Sequence, residues 1–241
     1  MFHFSQYSCQ RGAALLYMLL IMGLGAASLL LKEFQAQNFQ KEHDKQQLKL
    51  MSEAREALIG YALIHSRLPR PAGSIQNGHE SETPCVANSD CSGFIPWRTL
   101  GIARSDVWGN LIRYSVTPEF TIEGFDPLQI VANKNIKTRD PKGQELNLVG
   151  TDHCSRSSLC SPAVIVATGR AGIAINITGV TRNYANRQAP DELNNFLGNN
   201  NFTKRPVTTN NKNREGEFDD IVDWVPLKLL YQRMSAAGTL H

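Results

Sequence analysis

A proline-free stretch over residues 13–68 constrains this chain most, because it can form one continuous helix. Its first part, residues 13–31, contains no charged side chain. At ~1.5 Å per helical residue, a segment of this length comes close to the ~30 Å hydrocarbon thickness of a bilayer. We therefore predict a transmembrane helix over residues 13–31. It continues as a stem helix over residues 32–68, which Pro69 and Pro71 end.

The second half of this predicted helix changes character along its length. Residues 32–47 are polar on all sides and need a neighbouring apolar segment to stay helical. An apolar stripe at alternating spacings of four and three then follows, which predicts that this part packs against the rest of the protein. The stripe consists of Leu50, Ala54, Ala57, Tyr61, Ile64 and Leu68.

Residues 69–241 predict a head of short strands and long loops. Residues 162–168 form a continuous apolar run rich in β-branched residues, which is typical of the centre of a sheet. Residues 176–214 are poor in apolar side chains and rich in asparagine, so we expect a long loop insertion there. Residues 226–238 show apolar side chains at helical spacing and predict a last helix.

Four of the five cysteines form two close pairs, Cys85 with Cys91 and Cys154 with Cys160. Two local disulfides in an oxidising compartment explain this spacing. A zinc site is an alternative, for which His153 is the nearest histidine, and free buried thiols are another.

Composition and motifs exclude two classes of function. The net charge is +3 without a basic cluster, so we expect no nucleic-acid partner. The sequence has no nucleophile elbow and no paired metal-binding histidines, so we predict that the protein is not an enzyme. An anchored hydrolase that uses Asp106, His153 or Asp220 is the alternative.

The N-terminal residues 1–12 carry Arg11 and no acidic side chain. The positive-inside rule therefore predicts a cytoplasmic leader, with the remainder of the chain on the outer side. An uncleaved anchor and a secretory signal cleaved near residues 25–27 are alternatives.

The order of residues 10–16, Gln-Arg-Gly-Ala-Ala-Leu-Leu, resembles the prepilin leader of type IV pilins and type II secretion pseudopilins. This resemblance implies that prepilin peptidase cleaves between Gly12 and Ala13 and that the new N-terminus is methylated. Tyr17 stands where most members of the family carry glutamate. The resemblance therefore indicates a minor or initiating subunit.

Further segments resemble the same family in the same order along the chain: EAREALIGYA…RLP near residues 53–69, the Asp-Val-Trp-Gly-Asn turn at residues 106–110, and the glycine turn at residues 169–172. The resemblance implies an α+β fold in which a long N-terminal helix packs on a small antiparallel sheet. It also implies a fibre subunit in the bacterial inner membrane, with sibling pilins as partners and a periplasmic head. A signal-anchored periplasmic binding or adhesin domain is the alternative.

Carboxylates are concentrated just before the last predicted strand. Glu215, Glu217, Asp219 and Asp220 offer hard oxygen ligands, and their spacing resembles the acidic loop in which pseudopilins bind calcium. The alternative is a solvated acidic turn, in which Asp220 or Asp223 caps a short helix.

Overall fold

The computed structural model describes residues 10–170, 172–182, 189–209 and 215–240. Within the first helix, side chains are described at residues 15–28, at 31, 32, 34, 35 and 39, and from residue 41 onward. The chain divides into two compact units, residues 1–46 and residues 47–241. Both contain part of helix α1, which covers Gln10–His65.

The first unit consists of helix α1 up to residue 46 in its described part. The described side chains at residues 15–28 are uncharged and exposed, Leu15 and Leu24 by more than half. No helix among the described residues has an apolar stretch long enough to cross a membrane. The transmembrane helix predicted at residues 13–31 is thus not found among them; side chains 13, 14, 29 and 30 lie outside the described residues.

The second unit begins with the end of helix α1, one face of which is buried. The predicted stripe is correct at Ala54 and Tyr61 but wrong at Ile64, which is exposed. Because apolar side chains also flank the predicted stripe, the sequence pattern alone did not locate the buried face accurately. The buried face observed is shifted by about one residue from the predicted stripe. The buried apolar side chains of this part of the helix are Met51, Ala54, Leu58, Ile59, Tyr61 and Ala62.

A four-stranded antiparallel sheet forms the centre of the second unit, in the order β1-β2-β5-β9. Strand β5 lies between two partners and all its residues are buried, which confirms the prediction of a central strand at residues 162–168. The strands are β1 at Ser92–Phe94, β2 at Arg113–Val116, β5 at Ala163–Ala167 and β9 at Ile221–Trp224.

Two smaller sheets accompany the central one. A three-stranded sheet has the order β4-β3-β8, with β3 and β4 antiparallel and β3 and β8 parallel. Strands β6 and β7 form an antiparallel pair. The strands are β3 at Asn135–Arg139, β4 at Glu145–Val149, β6 at Ala174–Ile175, β7 at Thr181–Arg182 and β8 at Asn201–Thr203.

The two faces of strand β5 belong to different clusters of buried side chains. Ala163 and Ile165 pack in the cluster that includes the end of helix α1, whereas Val164 and Val166 pack with Phe202 of strand β8. Strand β5 is therefore covered on both faces, as its continuous apolar run requires.

The remaining helices are short. They are α2 at Trp97–Leu100, a 3₁₀ helix at Pro118–Thr121, α3 at Pro190–Leu197 and α4 at Leu227–Ala236. Helix α4 confirms the predicted last helix. The prediction of a loop over residues 176–214 is wrong in its described part, because β7, α3 and β8 lie there. The structure is therefore mixed α+β with antiparallel sheets.

Both predicted disulfides are present. Cys85 is bonded to Cys91 with their Cα atoms 5.1 Å apart, and Cys154 is bonded to Cys160 with their Cα atoms 5.9 Å apart. The alternatives of zinc-bound or free thiols are therefore wrong for these four residues.

Candidate functional site

The predicted processing site lies near the beginning of helix α1. Gly12 and Ala13 belong to helix α1, but their side chains are outside the described residues. Their role in leader cleavage therefore stays a prediction from the sequence.

Three carboxylates meet in the second unit, and two of them come from the predicted calcium set. Asp219 and Asp220 precede strand β9, and Glu192 lies in the first turn of helix α3. One ligand oxygen from each of the three lies within 4.8 Å of the others. We call these three residues the carboxylate cluster.

Hydrogen bonds hold the carboxylate cluster in place. The backbone N–H of Asp219 donates to Glu192 Oε1 at 3.0 Å, and Asn195 Nδ2 donates to Asp220 Oδ2 at 2.9 Å. The backbone N–H of Arg170 donates to Asp219 Oδ2 at 2.8 Å. The cluster thus connects helix α3, the turn after β5 and the segment before β9.

Two glycines allow the turn after β5 to approach the carboxylate cluster. Gly169 and Gly172 have φ angles of +64° and +79°, in the left-handed region. A Cβ atom at Gly169 would collide with the Asp219 carboxylate, and one at Gly172 with the Glu192 carboxylate. The glycine turn noted in the sequence is therefore required by this close approach.

The Asp-Val-Trp-Gly-Asn turn is hydrogen-bonded to the same glycine turn. Asp106 Oδ1 accepts the backbone N–H groups of Trp108 and Asn110, at 2.9 and 2.8 Å. Asn110 Nδ2 in turn donates to the Gly169 carbonyl at 2.5 Å. Asp106 thus stabilises the turn.

Burial makes the charged form of this cluster costly. Glu192 and Asp220 are 3% and 5% exposed. Burial raises the pKa of Glu192 to about 7. Burial, followed by repulsion from Glu192, raises the pKa of Asp220 well above its usual range. A cation bound between these groups would reverse both shifts.

Thr168 adds a further oxygen to this side of the sheet. Ala167 pairs with Ile221, so the next residues, Thr168 and Asp220, continue the rows of Val166 and Val222. Among the described residues, the buried Oγ1 of Thr168 has no hydrogen-bond partner. Buried hydroxyl groups normally have one, so this orphaned oxygen is consistent with an additional ligand.

The donor set fits calcium. All three side chains of the carboxylate cluster offer hard oxygen atoms, and calcium takes 6–8 such ligands, including hydroxyl or carbonyl oxygens and water. Glu192, Asp219 and Asp220 would hold the ion, which would offset the cost of burying the negative charge of Glu192 and Asp220.

Glu215 and Glu217, the other two predicted ligands, are not part of this cluster. The Glu215 carboxylate lies next to Gly143 in the turn between β3 and β4. The carbonyl oxygen of Glu215 accepts a hydrogen bond from Arg205 Nη2 at 2.9 Å. The backbone of Glu215 thus binds Arg205, which is not a member of the carboxylate cluster.

Sequence reasoning missed Glu192 because it lies 27 residues before Asp219, in the segment predicted as a loop. A local signal does exist: Pro190 followed by Asp191 and Glu192 is typical of a helix start. That signal could have predicted helix α3, but not which distant carboxylates it meets.

Comparisons of this chain with protein-family models, with curated proteins and with solved structures find no match.

Proposed function

We propose that this protein is a structural subunit of a type IV pilus or type II secretion pseudopilus, and a minor rather than a major one. The observation that carries the proposal is helix α1. It is one helix from Gln10 to His65, its described side chains at residues 15–28 are exposed and uncharged, and its last turns lie among the buried side chains of the second unit. A fibre subunit needs such a helix, apolar where it meets other subunits and anchored in its own head.

The apolar side chains among residues 15–28 are largely exposed in the described part of the first unit. Water disfavours such a surface, and either lipid or the equivalent helices of sibling subunits would cover it. Helices that associate within lipid gain mainly from close packing of small residues. Gly23 and Gly25 would serve this role, because a Cβ atom at either position meets no atom within 4 Å.

The proposal gives helix α1 two successive environments. It first lies in the bacterial inner membrane, with the leader in the cytoplasm and the head in the periplasm, and prepilin peptidase then cleaves between Gly12 and Ala13. Afterwards it joins sibling helices in a fibre. The two disulfides support a periplasmic head, because such bonds persist in oxidising compartments. Tyr17, in place of the family's glutamate, supports a minor position.

We further propose that the carboxylate cluster binds calcium and thereby ties helix α3 to the segment before strand β9. The support is the burial of Glu192 and Asp220, the raised pKa of both groups and the all-oxygen donor set. Calcium would act as a structural ion in the head.

Leader cleavage tests the fibre-subunit proposal. The full chain is expressed in bacteria with and without prepilin peptidase, and the mass of the mature protein is measured. We expect a product that begins at Ala13 and carries an N-terminal methyl group only when the peptidase is present. Gly12→Val should block this cleavage, whereas Gly25→Val, at the alternative signal-peptidase position, should not.

An intact Met1 in both samples would overturn the proposal and favour a signal-anchored periplasmic binding domain. Cleavage near residues 25–27 without the peptidase would also overturn it.

A further inference from the structure

Two arginines of the second unit stack on phenylalanine rings, but only one is satisfied by the chain. The Arg205 Cζ atom lies over the Phe218 ring, 4.5 Å from its centroid. The Arg113 Cζ atom lies over two rings, 5.0 Å from the centroid of Phe94 and 4.8 Å from that of Phe196. Each guanidinium therefore has aromatic contacts that leave its N–H edge to other partners.

Arg205 shows what normally occupies that edge in this protein. Its Nε donates to Asp191 Oδ2 at 2.8 Å, and its Nη2 donates to the carbonyl oxygens of Glu215 and Gly216, at 2.9 and 3.1 Å. A carboxylate and two carbonyl groups thus compensate the buried charge.

Arg113 has no such compensation among the described residues. Its Nε is buried without a hydrogen-bond partner, and none of its N–H groups takes part in a hydrogen bond or ion pair there. Burial lowers the pKa of Arg113 to about 10, so the group remains charged at neutral pH. A buried Nε–H without an acceptor is unfavourable, and because Arg113 as a whole is only partly buried, a partner can reach its outer N–H groups from solvent.

The undescribed parts of the second unit contain no acidic side chain that could supply one. Residues 171, 183–188 and 210–214 contain no aspartate or glutamate. Arg113 lies on strand β2 beside edge strand β1, with helix α3 supplying Phe196. The described residues therefore supply no acceptor for Arg113, and a carboxylate from outside this chain could reach it at the boundary between β1 and α3.

We propose that the N–H edge of Arg113, between Phe94 and Phe196, is a binding site for a carboxylate. The planar fork of a guanidinium matches the two oxygens of a carboxylate, and Arg205 with Asp191 is the same pairing within this chain. The carboxylate comes from a small free acid or from an acidic side chain of a neighbouring polypeptide. This site is independent of the fibre-subunit proposal, because it requires neither leader cleavage nor assembly.

Arginine N–H signals test the site directly, with Arg205 as an internal control. The full chain is labelled with ¹⁵N-arginine in detergent and titrated with sodium acetate against sodium chloride at equal ionic strength. We expect the Arg113 Nε–H signal to move saturably with acetate only, while that of Arg205 stays in place because Asp191 already occupies it. No saturable movement up to about 100 mM acetate, or an equal movement with chloride, would overturn the proposal.

Thermal unfolding of variants separates binding from packing. Arg113→Met keeps an apolar stem between the rings and removes the uncompensated charge. We expect its midpoint in chloride to equal or exceed that of the wild type, and the acetate-dependent rise of the wild type to be lost. A lower midpoint together with a retained acetate response would overturn the site and leave a packing role.

Arg113→Lys keeps the charge without the planar fork, so it tests the site if Arg113→Met does not fold. We expect its acetate response to be weakened severalfold. A full response in this variant would contradict recognition by the guanidinium fork.

The source of the carboxylate is distinguished by a second probe. N-acetylglutamate methylamide presents a glutamate side chain between two peptide groups. Binding at least as tight as that of acetate supports a neighbouring polypeptide as the source. Binding of acetate with exclusion of the capped glutamate supports a small free acid.

Discussion

Glu80 and Glu192 are both largely withdrawn from water in the same unit, but among the described residues only Glu80 is bonded to a guanidinium group. Arg67 donates to its two oxygens at 2.8 and 2.9 Å, and the Tyr61 hydroxyl donates to Oε1 at 2.5 Å. Burial alone would raise the pKa of Glu80, but these bonds outweigh it and lower the pKa to about 2. The pKa of Glu192 is instead raised to about 7.

The difference is whether the chain itself compensates the charge of the buried glutamate. Glu80 connects the end of helix α1 to the segment after it, and the chain supplies every partner that its charge needs. Glu192 connects helix α3 to Asp219, but burial and the charges of Asp219 and Glu217 disfavour its ionised form more than Arg205 favours it. The first arrangement should depend on residues alone, whereas the second should depend on an external cation.

Arg67→Gln should produce the largest loss of stability, because it leaves the Glu80 carboxylate shielded from water without its main partner. We expect a decrease of about 3 kcal/mol in the free energy of unfolding, measured by urea denaturation. Arg98→Gln, at an exposed position, is the control and should change little. Adding Glu80→Gln to Arg67→Gln should restore part of the loss. Equal stability of the two arginine variants would contradict the claim that Arg67 compensates the charge of Glu80.

Calcium should produce the next largest effect. At a concentration of about one hundred times its dissociation constant, it should stabilise the full chain by about 2.7 kcal/mol over the chelated protein. Thermal unfolding with EGTA and with calcium chloride measures this. Glu192→Gln should abolish the response, whereas Glu82→Gln, at an exposed position, should keep it. An unchanged midpoint in the wild type would rule out the calcium site.

Without calcium, replacing Glu192 or Glu80 by glutamine should change the free energy of unfolding in opposite directions. Glu192→Gln removes a charge that burial disfavours, while its amide oxygen can still accept from Asp219, so we expect a gain of about 1 kcal/mol. Glu80→Gln removes a charge that Arg67 needs and should lower the stability. Urea denaturation in EGTA compares them. A loss of stability in both variants would show that the Glu192 charge is compensated after all.

The dependence of stability on pH should be the smallest of these effects. Because the pKa of Glu192 is raised in the folded protein to about 7, from 4.5, its protonation stabilises the calcium-free fold. Stability should therefore fall as pH rises through about 7, and this trend should disappear in Glu192→Gln.

Glu80 acts in the opposite direction and at lower pH. Its pKa is lowered to about 2, so its contribution is present above about 4.5 and is lost as pH falls toward 2. Thermal midpoints across pH measure both trends. A flat profile between pH 5 and 8 in the chelated wild type would contradict the raised pKa of Glu192.

Several elements could be predicted because their signals are local. Each disulfide joins cysteines six positions apart, and one continuous apolar run predicts strand β5. Two of the three residues of the carboxylate cluster could also be predicted, since Asp219 and Asp220 are adjacent. Glu215 was included for the same reason of proximity, but its side chain lies beside Gly143 instead.

The amino-acid sequence by itself determined helices α1 and α4, strand β5 and which cysteines pair, because these outcomes depend on residues a few positions apart. Only the tertiary structure decided that Glu192 meets Asp219, that Arg67 neutralises Glu80 and that the described residues leave Arg113 without an acceptor. Those outcomes depend on how strands and helices distant in the chain are packed together, and burial then sets the energy of each charge. A local pattern carries no information about either.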